Sequence, residues 1–254
     1  MPTPAGGTSV TGDLPPADGA SPGNDLHGLS PGEARRRALR EEARKPAVRV
    51  AEARAAAGLQ ELELAAAKRP DDDQVQLELA KRLHLEGVDG DDKAAERAER
   101  MLAELAKEPG APAIALAYYG SARTLAAKRS WAFWRKGELA EEGLRLMDDA
   151  VAAAPGDLEV RFIRAISCYA LPFFFDRGDQ AASDFARVAR SASRAVRAGE
   201  LDAAIGVAAL FYEGVVRADR GDVASAKVSW EEAVALGPLT PHGQAARARL
   251  GRTR

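Results

Sequence analysis

The sequence has few of the residues on which most catalytic and metal sites depend. It contains one cysteine, Cys168, and three histidines, His27, His84 and His242. An internal disulfide is therefore excluded, and the histidines do not stand at zinc-ligand spacing from Cys168. No glycine-rich loop followed by Lys-Ser/Thr is present to hold a phosphate. The sequence predicts a non-enzymatic protein that binds no metal and no cofactor, with one alternative: an enzyme whose carboxylates meet only in the folded chain.

Other classes of protein are disfavoured by further absences. No apolar run approaches the length of a membrane span, and the N-terminus lacks the basic segment and apolar core of a signal peptide. The formal net charge is −2, which predicts no general affinity for nucleic acid or for an anionic membrane. Together with the single cysteine, these features predict a soluble cytoplasmic protein. We expect it not to act at a membrane, and its overall charge disfavours nucleic acid as a partner.

The composition that remains is typical of packed helices. Hydrophobic residues make up 46% of the chain and aromatic residues only 6%, and alanine is abundant while β-branched runs are few. Alanine is the strongest helix former, and its small side chain lets helices pack at close range. We predict an all-α fold.

Three regions can be distinguished along the chain. Residues 1–29 are rich in Pro, Gly and Ser and contain no Lys or Arg, which predicts a disordered tail, either solvated or carrying a short recognition segment. Residues 30–46 begin with Ser-Pro-Gly-Glu, a helix-start signature, and predict a charged helix that ends at Pro46. Residues 47–254 form the predicted helical domain.

A spacing of small, bulky, small and helix-breaking residues recurs in that domain. In the C-terminal part, Ala226, Trp230, Ala233 and Pro238 follow one another at intervals of 4, 3 and 5. The same intervals relate Gly58, Leu62, Ala65 and Pro70, and also Gly143, Met147, Ala150 and Pro155, with a looser copy at Ala98, Leu102, Leu105 and Gly110. Such repetition indicates a repeat of helix pairs.

The pattern resembles the tetratricopeptide repeat (TPR), a helix–turn–helix unit that stacks into an α-solenoid. The resemblance covers about residues 47–250, and segments such as Arg161–Ala165 look like a bacterial branch of these proteins, which implies no particular activity. It implies four TPR-like pairs: 73–87 with 93–108, 112–129 with 137–153, 157–170 with 179–197, and 201–219 with 222–236. The helix at 47–69 would cover the first pair, and a short helix at 241–250 would close the last.

The resemblance also implies a function, the binding of another protein. Proteins of this type generally hold a peptide or a helix in a concave groove. The equivalent groove positions here are Lys81, Phe162, Tyr169 and Phe211.

Two further features are candidates for binding. Large aromatic residues fill two predicted connections within helix pairs, at Trp131, Phe133, Trp134, Phe173, Phe174 and Phe175. They form either an aromatic edge that anchors a partner or a plug that folds back between repeats. The other feature is a basic stripe, Arg187, Arg190, Arg194 and Arg197, whose spacing places four guanidinium groups on one helix face. It is either a solvated surface or the site of an alternative function, the binding of nucleic acid or an acidic peptide.

Overall fold

The computed structural model describes residues 48–252, and it describes every side chain from 58 to 252 except that of Phe133. The predicted tail 1–29 and the predicted charged helix 30–46 lie outside the described residues. Within residues 48–252, ten α-helices account for 82% of the residues and no β-strand is found. The predicted all-α class is confirmed.

The helix bounds follow the predicted segments closely. In chain order the helices are α1 (Val48–Lys68), α2 (Asp73–Asp89), α3 (Asp92–Lys107), α4 (Ala113–Arg129), α5 (Phe133–Ala153), α6 (Leu158–Ala170), α7 (Gly178–Arg197), α8 (Ala203–Asp219), α9 (Val223–Leu236) and α10 (Pro241–Arg252). A short 3₁₀ turn, Phe173–Phe175, lies between α6 and α7.

Aspartates begin half of these helices. A side-chain oxygen of each accepts a hydrogen bond from a backbone N–H in the first turn, which would otherwise have no partner. The capping residues are Asp72, Asp91, Asp157, Asp202 and Asp222. In the turn between α8 and α9, Gly221 has the left-handed φ of 88°.

Consecutive helices pack against each other along the whole chain, and a second set of contacts joins alternate helices. α2 contacts α4, α4 contacts α6, α6 contacts α8, and α8 contacts α10. The core is therefore a continuous layer that runs through the array, with residues from every helix between α1 and α10.

Glycines allow two of the helix pairs to approach at backbone distance. A Cβ added at Gly120 in α4 would lie 2.6 Å from the carbonyl oxygen of Gly143 in α5. A Cβ at Gly214 in α8 would lie 2.5 Å from Nε1 of Trp230 in α9. Trp230 fills the space beside Gly214, with 1% of its surface exposed.

One predicted helix start is wrong. Helix α5 begins at Phe133, four residues before the predicted start at 137, because Gly137 alone costs only about 1 kcal/mol in a helix and does not stop it. In α1, a Cβ at Gly58 would meet no atom within 4 Å.

The third pair, α6 and α7, is held by charge. Arg161 and Arg164 occupy α6 positions at which the repeat pattern predicts apolar residues. Both bind Asp184 of α7, at 2.9 Å and 2.8 Å, and Asp184 is 2% exposed. A buried carboxylate needs such partners, so the two arginines that interrupt the pattern satisfy a charge in the core.

Candidate interaction surfaces

Two exposed tryptophans lie where α4 is joined to α5, Trp131 in the connection and Trp134 in the first turn of α5. Trp131 is 88% exposed and Trp134 is 68% exposed, and their rings meet edge to face with centroids 6.0 Å apart. Ala132 between them is buried, and its carbonyl oxygen accepts hydrogen bonds from the Ser130 hydroxyl and from the backbone N–H of Arg135. The buried alanine fixes the connection, so the two indole rings point outward from an anchored backbone.

The connection between α6 and α7 carries two exposed phenylalanines. Phe173 is 68% exposed and Phe174 is 69% exposed, with ring centroids 6.0 Å apart. Their 3₁₀ turn ends at Asp176, which has a φ of 50° and whose N–H donates to the Phe173 carbonyl oxygen at 2.9 Å. A left-handed residue other than glycine has an energetic cost, and here it ends the turn that displays the two rings.

The two connections share a small second core. Ala127, Leu139 and Ala140 of α4 and α5 are buried there, and Leu171 and Phe175 of the other connection pack against them. The four exposed rings therefore belong to one end of the array. We call this surface, formed by Trp131, Trp134, Phe173 and Phe174, the aromatic end.

The helices beneath the aromatic end are tied together by polar contacts. Arg177, at the start of α7, donates to Asp148 of α5 at 2.9 Å and to Gln180 at 2.5 Å. Asp148 also accepts from Arg164 of α6 at 3.0 Å and from Gln180 at 3.0 Å. The exposed rings thus stand on three helices whose relative positions are fixed.

The sequence leaves two interpretations of the aromatic connections, an exposed edge or a plug between repeats. The structure supports the exposed edge for Trp131, Trp134, Phe173 and Phe174. Only Phe175 behaves as a plug, since it is half-buried against the second core. For Phe133 the structure describes the backbone, at the first position of α5, and not the side chain.

Lys81, one of the predicted groove residues, makes contacts within the chain. Its ammonium group, on α2, binds Glu159 of α6 at 2.9 Å and Glu78 of α2 at 3.2 Å, and lies 5.6 Å from the centroid of the Tyr118 ring. The Tyr118 hydroxyl of α4 donates to the same Glu159 carboxylate at 3.0 Å. We call this arrangement the Lys81 clasp.

The remaining predicted groove residues are corrected. Phe162, Tyr169 and Phe211 are buried, because the inner faces of α6 and α8 pack against neighbouring helices and are not open to solvent. Phe162 and Tyr169 contact Phe185 edge to face, at 6.2 and 6.0 Å, and Phe211 contacts Tyr212 at 5.2 Å. These rings form the core and present no surface to a partner.

The basic stripe of α7 is exposed at all four arginines. Arg187, Arg190 and Arg194 line a cavity of about 570 Å³ together with the start of α6, and Arg197 does not line it. The stripe is therefore divided into three residues at a concave site and one outside it.

A buried polar chain was not predicted from the sequence. Nε2 of His84 in α2 lies 3.0 Å from the Ser121 hydroxyl of α4, which accepts from the Ser167 hydroxyl of α6 at 3.0 Å. Burial, with a smaller effect of the Arg129 charge, lowers the pKa of His84 to about 4. All three residues are buried and none lines the basic cavity, so this serine–histidine pair links three helices and offers no accessible nucleophile.

Cys168 also lies inside the fold. Burial raises the pKa of its thiol to about 12, which disfavours the thiolate. Within residues 48–252, no group of three His, Cys, Asp or Glu side chains is placed to hold a metal ion, and no helix is long and apolar enough to cross a membrane.

Comparison with known proteins adds no relative: no protein-family model, no curated protein and no solved structure matches this chain.

Proposed function

We propose that the chain is a non-catalytic interaction module: an α-solenoid of four TPR-like helix pairs that binds another protein through its aromatic end. The contacts that join α2, α4, α6, α8 and α10 in sequence support the solenoid, because stacked helix pairs contact each other through alternate helices. The single cysteine supports a cytoplasmic location for the module.

The observation that carries the proposal is the exposure of four large aromatic side chains on one surface. Aromatic rings bury about 150–250 Å² each in contacts, so four rings at roughly 70% exposure offer about 420–700 Å². Each partner contributes about 800 Å² to an interface of standard size. The aromatic end thus supplies most of one side of such an interface.

The anchoring of the rings supports tight binding. Ala132 and Phe175 fix the two connections, and Arg177 fixes α7 to α5 through Asp148. A surface that is already ordered loses little conformational entropy when it binds. Tryptophan in particular is enriched among the residues that dominate binding energy.

The charges around the rings favour a protein over a lipid surface. Arg135 and Lys136 are exposed beside the tryptophans, but Glu138 and Asp176 are exposed there as well. These four charges cancel, so the surface lacks the positive potential that draws peripheral proteins to anionic lipids.

The test uses the tryptophans as their own probe. In a Trp230→Phe background only Trp131 and Trp134 fluoresce, and iodide quenches exposed indoles. We expect a photo-crosslinker at position 174 to capture the partner from a cell extract. Once that protein is purified, the complex, after subtraction of the partner's own fluorescence, should show both rings protected from iodide.

The matched control changes exposed apolar residues elsewhere. Leu239 and Val228 are exposed on the α9 side of the array. Replacing both with Ser should leave crosslinking intact, while replacing Trp131 and Trp134 with Ser should abolish it. Equal capture by both variants would refute the proposal, and so would protection by lipid vesicles in the absence of protein.

A further inference from the structure

The cavity beside the basic stripe lies at the opposite end of the α6–α7 pair from the aromatic end. Its floor is formed by Gly156 and Asp157 and by the first residues of α6, and one wall is formed by α7. Helix α6 has 13 residues and α7 has 20, so the two surfaces are about 20–30 Å apart at 1.5 Å per residue. Occupation of one surface does not obstruct the other.

The volume of the cavity is that of a small-ligand site. It measures about 570 Å³, within the roughly 300–1,000 Å³ typical of ligand pockets. Its lining is dominated by charged side chains, three of them arginines, which distinguishes it from an apolar cleft. Three carboxylates, those of Asp157, Glu159 and Glu200, line it as well, so the sign of a charged ligand depends on which of these side chains are free of partners.

The acidic residues of the cavity already have partners. Asp157 accepts from the backbone N–H of Val160 as the cap of α6. Glu159 belongs to the Lys81 clasp, and Glu200 lies 3.4 Å from Arg194. None of these carboxylates is paired with Arg187 or Arg190.

Arg187 and Arg190 remain without a counter-charge. Among the described residues, neither side chain makes an ion pair, although both line the cavity one helical turn apart. An arginine presents a rigid fork of N–H donors that matches an oxyanion, and it stays charged at every physiological pH. Two such forks facing one cavity can bind a dianion.

The opposite wall, at the start of α6, leaves the binding of an anion to the arginines. The carboxylate of Asp157 caps this helix and occupies the Val160 N–H, and Glu159 lies in the first turn, so the helix start carries negative charge of its own. The unpaired guanidinium groups are therefore the feature of the cavity that favours an anion.

We propose that this basic groove binds a single phosphoryl group through Arg187 and Arg190, with Arg194 at its edge. A phosphate monoester carries a charge of about −1.5 to −2 at neutral pH, which matches two unpaired arginines better than a single carboxylate does. The site goes beyond the proposed function, because it lies on a different end of the molecule and takes a different ligand.

The experiment measures phosphate binding by the full chain and by charge-neutral variants. Inorganic phosphate, phosphoserine, a labelled phosphoserine peptide and its unphosphorylated counterpart are titrated, and the arginine side-chain N–H signals are followed by NMR. We expect signals of Arg187 and Arg190 to shift with all three phosphorylated probes. The peptide should bind tighter than free phosphate if the source is a protein, and equally if it is a small molecule.

Arg197→Gln is the matched control, because Arg197 lies on the same stripe, is exposed, and does not line the cavity. Arg187→Gln with Arg190→Gln should weaken phosphate binding by tenfold or more, since charge-assisted hydrogen bonds are lost, while Arg197→Gln should change it less than twofold.

Unshifted Arg187 and Arg190 signals at saturating phosphate would overturn the proposal. Binding of an oligonucleotide would also overturn the proposal if Arg197 contributed as much to it as Arg190. That result would mean that the whole stripe binds a polyanion. Failure here would leave crosslinking at the aromatic end unchanged, so the two proposals are separable.

Discussion

The contact between Gly214 and Trp230 allows the packing of α8 on α9 to be tested by a double-mutant cycle. A Cβ at position 214 would lie 2.5 Å from Nε1 and 2.7 Å from Cδ1 of the indole, and 3.0 Å from the Ala226 carbonyl oxygen. Gly214→Ala must therefore push the ring or the helix aside, which should cost about 1–3 kcal/mol of unfolding free energy as overpacking does.

Changing the tryptophan alone has a different cost. The ring is 1% exposed, and its Nε1–H donates to the Phe211 carbonyl oxygen at 3.2 Å. Trp230→Leu removes buried volume and that hydrogen bond, and we expect a loss of about 3 kcal/mol, near the lower end for truncating a buried tryptophan.

Together the two changes should be less harmful than their sum. Without the indole, the atoms that clash with the alanine Cβ are gone, so the double variant should recover about 1–2 kcal/mol of coupling energy. Urea unfolding of the wild type, both single variants and the double variant, followed by circular dichroism, gives all four free energies. Additivity within about 0.3 kcal/mol would refute the packing described for this pair.

Three further perturbations follow from buried polar groups. Because the folded pKa of His84 is about 4 and the unfolded value is about 6.5, the unfolded state binds more protons between these values. The contribution of His84 should be complete above pH 6.5 and fall by up to about 3 kcal/mol towards pH 4. Burial also lowers the pKa of His242 to about 4, so His84→Gln should reduce the slope of urea titrations over this pH range by about half. Asp184→Asn leaves Arg161 and Arg164 without their buried counter-charge and should cost about 3–5 kcal/mol by thermal or urea unfolding, whereas Asp148→Asn, at a more exposed carboxylate, should cost less. Cys168 should resist a thiol reagent in the native protein and react on unfolding; rapid native labelling would contradict its burial.

The helices themselves could be predicted because local signals mark them. Aspartate caps, the proline breakers and the spacing around Trp230 act within one or two turns of the chain, and the structure has its helix bounds within about two residues of most predicted segments. The start of α5 was missed because Trp134 to Gly137 contain no strong breaker, and a lone glycine is a weak one.

The surfaces could be predicted only in part. Exposure of Trp131 and Phe173 depends on how a connection sits on its neighbours, and the small core around Phe175 joins residues far apart in the sequence. The burial of Phe162 and Tyr169 has the same origin, since Phe185, to which both pack, comes from the following helix. No local sequence pattern indicates which residues from distant parts of the chain come into contact.

The charged contacts around Asp184 could have been predicted from the sequence. Arg161 and Arg164 stand where the repeat pattern has apolar residues, and a buried acidic residue on the next helix is the physical reason for them. Asp184 stands among apolar positions of α7 at helical spacing, so a search for lone acids on core faces would have found the pair.

The Lys81 clasp has a mechanical consequence. Because one ammonium group on α2 is bonded to a carboxylate on α6, with a tyrosine of α4 bonded to the same carboxylate, lengthening this half of the array would have to separate opposite charges. The resistance of this part of the array to extension should therefore depend on ionic strength, and it should fall as salt screens the pair.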